Sequence, residues 1–304
     1  GLGATHDRQR GVAGAYEAAL AAMAHLRAAG IGVSGNTQIN RLSLPELTQS
    51  VLALVGGGQV IAQYQHVLRG FAARLTPAQH TALAEAESRL LSGEPLPYVL
   101  GHWEFYGLDF QLTPEVLIPR PETELLVEHA KQWLCSNPTR RWAADIATGS
   151  GCIAVALATH LPDLRVLATD FSLPALNVAR ANACKHGVPN RVIFLHADLL
   201  DFSTSAPFDL LCANLPYIPS SSLPSLAVSQ REPLLALDGG ADGLALISRL
   251  LLTAPACLAR GGMILLEIEA SQGTAAQALA RQAFPEARVR LHPDLSAHDR
   301  LLEI

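Results

Sequence analysis

Two short stretches of this 304-residue chain carry residue types that can do chemistry. The first is Asp145-Ile146-Ala147-Thr148-Gly149-Ser150-Gly151, which follows an apolar run that reads as a strand and precedes one that reads as a helix. A glycine-rich turn at such a junction lets backbone approach a ligand closely, with N–H groups pointing at it. Asp170 ends the next apolar strand, about 20 residues on, where a carboxylate can accept from two ribose hydroxyls. The loop has no Gly-Lys-Ser/Thr, so it is not a P-loop, and its glycines do not repeat as in nicotinamide enzymes. The second stretch is Asn214-Leu215-Pro216-Tyr217, an amide, a turn and an aromatic ring at the end of the fourth strand of the series. Ligands bind beyond the carboxyl ends of parallel strands, so these four residues are expected to face the cleft of the glycine loop.

The elements that must hold these stretches are legible as punctuation and period. From residue 142 onward, strands are expected over 142–147, 165–170, 191–197, 208–214, 263–268, 287–292 and 300–304, with helices between most of them. Near-continuous apolar strands alternating with helices predict a mainly parallel sheet covered on both faces. Ahead of it, the aromatic run 103–112 with Gly107 inside predicts a hairpin. Then come the proline-rich turn Ile118-Pro119-Arg120-Pro121-Glu122-Thr123 and a helix over 124–134. Residues 12 to about 100 read as helices throughout, because Leu68, Phe71 and Leu75 recur at helical spacing and no strand signal interrupts. Gly56-Gly57-Gly58 breaks this region, and Thr76-Pro77 opens a helix over 78–91.

Composition narrows the classes. With 49% hydrophobic and 16% charged residues the chain can bury a core, which excludes wholesale disorder. A formal charge of −5 does not match the basic footprint of a nucleic-acid binder. No apolar stretch approaches the length of a membrane span, and residues 1–11 lack the apolar core of a signal peptide. The five cysteines are scattered without a CxxC pair and read as reduced thiols of a cytoplasmic protein. The eleven histidines form no HxH or HxxxH pair, so no metal is expected; His102, His129, His160 and His186 read as surface or packing residues.

The loop DxxTGSG followed by an acid resembles motif I of the S-adenosylmethionine-dependent methyltransferases, with Ala147 where their first glycine usually stands. Asn-Leu-Pro-Tyr resembles the NPPY motif of methyltransferases that modify a planar, amide-like nitrogen, with Leu215 in place of the first proline. Residues 92–123, SGEPLPYVLGHWEFYGLDFQLTPEVLIPRPET, and residues 231–244, REPLLALDGGADGL, are similar to segments of the release factor glutamine methyltransferases. The likeness covers residues 92–304 well and is weaker over 1–91, where it rests mainly on Leu26–Ile31.

The resemblance implies an α/β, Rossmann-like class I methyltransferase domain with a small all-helical N-terminal domain. It implies a helical docking domain over 1–95, a hairpin and proline-rich linker over 96–123 and the methyltransferase domain over 124–304. S-adenosylmethionine would touch Ala147, Thr148, Gly149, Ser150, Gly151, Asp170, Asp198, Leu199 and Asn214. Asp198 would accept from the adenine amine and Leu199 offer it an apolar face. Asn214, Leu215, Pro216 and Tyr217 would hold the substrate, with Asn214, Pro216 and Tyr217 at the chemistry and Arg120 and Glu122 near the cleft mouth. An amide nitrogen is a poor nucleophile. Acceptors at the Asn214 side chain and the residue-215 carbonyl would hold its two N–H bonds while Tyr217 stacks on the flat group. The implied partner is the GGQ loop of a peptide chain release factor, met by a monomer without nucleic acid or membrane. Two alternatives stay open on the residues: methylation of an amino group on a nucleic-acid base, and a non-catalytic homologue that retains binding. Gly57-Gly58-Gln59 spells the substrate tripeptide, which is read as coincidence in a glycine-rich turn.

Overall fold

The computed structural model describes residues 59–64, 70–74, 77–204 and 206–304. The chain divides into two units, residues 1–101 and 102–304. The hairpin expected within a linker therefore belongs to the second unit. Among the described residues no helix is long and apolar enough to cross a membrane.

In the first unit, strands β1 (Gln59–Tyr64) and β2 (Gly70–Arg74) pair antiparallel, from Gln59 opposite Arg74 to Tyr64 opposite Gly70. This corrects the all-helical expectation for the region. Val60-Ile61 is a β-branched pair that favours a strand, and of the Leu68–Phe71–Leu75 spacing that suggested a helix only Phe71 lies within β2. Gln59 opens β1, while Gly57, Gly58 and the helices expected over 12–58 lie outside the described residues, as does the Thr76 cap. Helix α1 (Pro77–Leu91) and helix α2 (Leu96–Leu100) follow. Arg89 joins them, donating to both carboxylate oxygens of Glu94 at 2.7 and 2.5 Å and to the Tyr98 carbonyl at 3.1 Å.

The second unit opens with the hairpin β3 (His102–Phe105) and β4 (Leu108–Gln111), turning through Tyr106 and Gly107 at positive φ. The series then runs α3 (Thr123–Ser136), β5 (Trp142–Ile146), α4 (Cys152–His160), β6 (Arg165–Asp170) and α5 (Leu173–Lys185). It continues with β7 (Val192–His196), β8 (Phe208–Ala213), α6 (Ala245–Cys257), β9 (Leu258–Glu267), α7 (Gly273–Ala283), β10 (Arg290–Pro293) and β11 (Asp299–Glu303). All seven expected strands are present in one seven-stranded sheet, ordered β10-β11-β9-β8-β5-β6-β7. Strands β5 to β9 run parallel, and β11 and β10 return antiparallel at one edge.

The chain starts this sheet in the middle, at β5, builds outward through β6 and β7, then crosses back to place β8 on the other side of β5. A crevice opens where that order reverses, outside the carboxyl ends of β5 and β8. The strands that border it are buried almost throughout: Ala143, Ala144, Asp145 and Ile146 of β5 and Leu210, Leu211, Cys212 and Ala213 of β8 are at most 1% exposed. Such strands cannot twist a side chain into solvent, so their ends are fixed points for a site.

Candidate active site

The predicted loop residues follow β5 at the crevice. Asp145 is fully buried, and its Oδ2 accepts from the Thr148 hydroxyl at 2.5 Å and from the Ala154 amide at 3.1 Å. That carboxylate thus ties both ends of the turn together. Its Oδ1 has no partner among the described residues, and burial pushes the group up to about 7. Ala147 takes φ +58°, a left-handed conformation that L-residues with a Cβ adopt at a cost. Gly149 and Gly151 are also left-handed, at +56° and +80°. A Cβ on Gly151 would press on Ala179 of α5 at 3.0 Å, whereas one on Gly149 would meet nothing within 4 Å. Gly151 thus serves close packing, and open space lies over Gly149.

The next strands add their ends. Asp170, at the tip of β6, accepts from the Gly149 amide at 2.8 Å and from the Ser172 amide at 2.8 Å, and desolvation raises its pKa. The glycine loop and the spaced acid are thus joined by a direct hydrogen bond. Beyond β7, Asp198 meets the Arg249 guanidinium of α6 at 2.8 Å, so one of its oxygens is already engaged. Leu199 sits at φ +51° with its side chain against the core, and its carbonyl is 3.4 Å from the Thr169 hydroxyl. A buried asparagine holds the loop from below. Asn182 of α5 donates to the carbonyls of Ser150 at 2.9 Å and Gln111 at 3.0 Å, and accepts from the Gln111 amide at 2.7 Å.

Across the reversal, Asn214 to Tyr217 follow β8. Asn214 donates its Nδ2 to the Thr123 hydroxyl at 3.0 Å, and Thr123 in turn donates to Glu267 Oε2 at 2.6 Å. The Tyr217 hydroxyl donates to the other oxygen, Glu267 Oε1, at 3.3 Å. Glu267 ends β9 and is 2% exposed; burial pushes it up to about 7, against the favourable Thr123 hydrogen bond and the nearby Arg300. Burial also raises the Tyr217 phenol. Leu215 points away from this group. Its side chain is 1% exposed and packs in the main core with Leu244 and Ile247, so only its main chain can line the crevice. The sequence reading likewise assigns residue 215 its carbonyl rather than its side chain.

The backbone of this segment is gripped from behind. Gln272 donates its Nε2 to the Tyr217 carbonyl at 2.9 Å. Gly239 and Gly243 pass so close that a Cβ would lie 2.7 Å from Tyr217 Cα and 2.1 Å from Tyr217 O, respectively. The proline-rich turn is anchored by Glu232, which accepts from the Ile118 amide at 3.0 Å and from Arg120 at 2.5 Å. Arg120 thus serves as an ion-pair anchor, and Glu122 stands immediately ahead of α3, where its charge is felt at Glu267. Thr123, Glu232, Glu267 and Gln272 were not among the expected site residues. A lone acid closing the apolar run Met263-Ile264-Leu265-Leu266-Glu267 is the signal that could have found one of them.

Among the described residues, one group has metal-ligand chemistry: His129, His292 and Glu303, with ligand atoms within 4.8 Å of one another. His292 Nε2 is 2.9 Å from Glu303 Oε2, and Arg290 lies 3.3 Å from Glu303 Oε1, so that carboxylate is already bonded and balanced.

Residues 143–230 match the family model described as a methyltransferase domain. A release factor glutamine methyltransferase from Moorella thermoacetica is 45% identical over 229 residues, 74% of this chain and 80% of its own length. One from Chlorobaculum tepidum is 39% identical over 225 residues, 71% of this chain and 76% of its own. Among solved structures, the hMettl16 catalytic domain in complex with MAT2A 3′UTR hairpin 6 matches with a TM-score of 0.54 at 16% identity, covering 86% of this chain and 92% of that one. The N-terminal domain of human METTL16 in complex with SAH matches at 0.52 and 16% identity, covering 90% and 97%. At that identity the structural likeness is one of fold.

Proposed function

Because the chain belongs to the release factor glutamine methyltransferase family, we propose that it methylates the side-chain amide nitrogen (N5) of the glutamine in the GGQ loop of a peptide chain release factor. The methyl donor is S-adenosylmethionine, whose sulfonium supplies an electrophilic methyl group for direct in-line displacement. The residues present suit that donor. Open space lies over Gly149, Asp170 is held at the strand tip with lone pairs to spare for ribose hydroxyls, and Leu199 offers an apolar face. Ala147, Thr148, Ser150, Gly151 and Asp198 complete the loop side of this reading.

The observation that carries the proposal is Asn214, fixed at the carboxyl end of β8 across the strand reversal from the glycine loop, with its amide nitrogen committed to Thr123. Its Oδ1 is thereby turned away from Thr123 and serves as one acceptor for the substrate amide. The Leu215 carbonyl serves as the second, and Pro216 keeps that residue extended. With both N–H bonds held, the lone pair is aimed at the methyl group, and catalysis is mainly positioning and electrostatics. The new N–C bond forms as the S–C bond breaks, and the amide proton passes to water. Tyr217 stacks on the planar group. In this reading the N-terminal unit docks the release factor. The protein acts as a cytoplasmic monomer, and its −5 charge argues against a nucleic-acid substrate.

The test is transfer of labelled methyl from S-adenosylmethionine to a purified release factor, beside the same factor carrying Gln→Ala in its GGQ loop and beside duplex DNA. Label on the factor that vanishes with the Gln→Ala change is the expected result. Label on DNA alone supports base methylation, and cofactor binding without label on either supports a non-catalytic homologue.

A further inference from the structure

We infer that Thr123 and Glu267 are positioning residues that set which end of the Asn214 side chain faces the substrate, so that the pocket takes a carboxamide and rejects a carboxylate. This rests on the glutamine reading above and deepens it. An asparagine can present either an acceptor or a donor, and the two choices select opposite ligands. The hydroxyl of Thr123 carries one proton. It lies 2.6 Å from Glu267 Oε2 and gives that proton to the carboxylate, so toward Asn214 it can only accept. Asn214 must therefore turn its NH2 to Thr123, at 3.0 Å, and its oxygen to the crevice. Both oxygens of Glu267 face hydroxyl donors, Thr123 on one side and Tyr217 on the other, the arrangement an ionised carboxylate requires.

Two acceptors, Asn214 Oδ1 and the Leu215 carbonyl, suit the two N–H bonds of a glutamine side chain. They repel the acceptor-only oxygens of a glutamate. A site built to bond an NH group discriminates strongly against the analogue without it, because its own polar atoms are then left unpaired. Protonation of Glu267 reverses the chain. A neutral carboxyl can donate to Thr123, which frees the threonine proton for Asn214 and turns the amide around. Glu267 is pushed up to about 7 by burial and by Glu122, and held down by Thr123, Tyr217 and Arg300 on β11; the buried Cys152 thiol of α4 also feels its charge. The rate therefore falls as pH drops through that value.

The experiment compares the full chain with Thr123→Val, Thr123→Ser and Glu267→Gln. Each is measured for labelled methyl transfer to a release factor across pH, and for binding of Gly-Gly-Gln and Gly-Gly-Glu peptides with S-adenosylhomocysteine present. Thr123→Val is expected to lower kcat about 100-fold and to narrow the preference for the glutamine peptide, with cofactor affinity kept. Thr123→Ser restores most of the rate, and Glu267→Gln removes the acid limb of the profile. An unchanged kcat and peptide preference in Thr123→Val overturns the proposal. A wild-type chain that binds cofactor yet labels no glutamine sinks the parent reading instead. The hydrogen-bond chain is then scored by the pH dependence of thermal unfolding, which needs no substrate. If that dependence is the same in wild type and Glu267→Gln, Glu267 does not titrate as required and the proposal fails.

Discussion

Ala147 occupies a backbone conformation that glycine adopts freely, in a loop whose other two left-handed residues are glycines. Ala147→Gly removes the steric cost of a Cβ at φ +58°, and we expect a gain of about 0.5–1 kcal/mol in unfolding free energy. Chemical denaturation measures it; a loss of stability would mean that the Ala147 methyl contributes more through packing than it costs in strain. In the proposed reading Asn214 contributes more to methyl transfer than to cofactor affinity. Asn214→Ala should leave cofactor affinity within a few-fold, since Gly149 and Asp170 are untouched, and abolish methyl transfer. Turnover at the wild-type rate would remove Asn214 from the mechanism. Both stretches were legible in the sequence because each is contiguous and ends a strand. The Thr123–Glu267 pair was not, because 144 residues separate its members and only the fold brings the start of α3 to the end of β9.

The elements show the same division between local and distant information. The alternation of apolar strands and helices was readable residue by residue, and each expected strand of the sheet is present. Strand β9 is assigned from Leu258, directly after α6, but its register shifts between the Phe208–Leu258 and Leu210–Met263 pairs, where the chain bulges out through Gly261 at φ +68°, so regular pairing with β8 begins at Met263 as expected. The β1–β2 pair escaped the sequence reading because that reading followed Leu68, Phe71 and Leu75, of which only Phe71 lies in either strand. Packing between loops was equally invisible. Gly243 stands in an unremarkable Asp-Gly, yet it permits the approach of the Tyr217 carbonyl. Gly243→Ala would force that backbone aside at a left-handed φ, and we expect a loss of about 2–4 kcal/mol in stability. Methyl transfer should fall further than cofactor binding, because the displaced segment carries the amide acceptors. Equal losses in the two assays would place the damage in the whole sheet.

At the scale of the molecule, two fully buried carboxyls govern the response to pH. Asp145 and Glu267 are each pushed up to about 7 by burial, from ordinary values of 3.8 and 4.5. The folded chain therefore holds protons that the unfolded chain has released between about pH 4 and pH 7. Stability falls as pH rises through that window, by up to about 3 kcal/mol for Glu267 alone. Thermal unfolding should show a lower midpoint at pH 8 than at pH 6, and Glu267→Gln should reduce the difference; a midpoint that rises across this range would contradict the burial of both groups. The state with the ionised glutamate is thus the less stable one and the one that aligns Asn214. Position 215 answers to a separate demand. Its side chain fills core volume, and in the proposed reading only its carbonyl meets the substrate, so positions 214 and 215 report on different properties. A saturation library at Leu215 would sort by yield of folded protein, and one at Asn214 by turnover. Residue identity at 215 can drift with the neighbouring core without retuning the reaction.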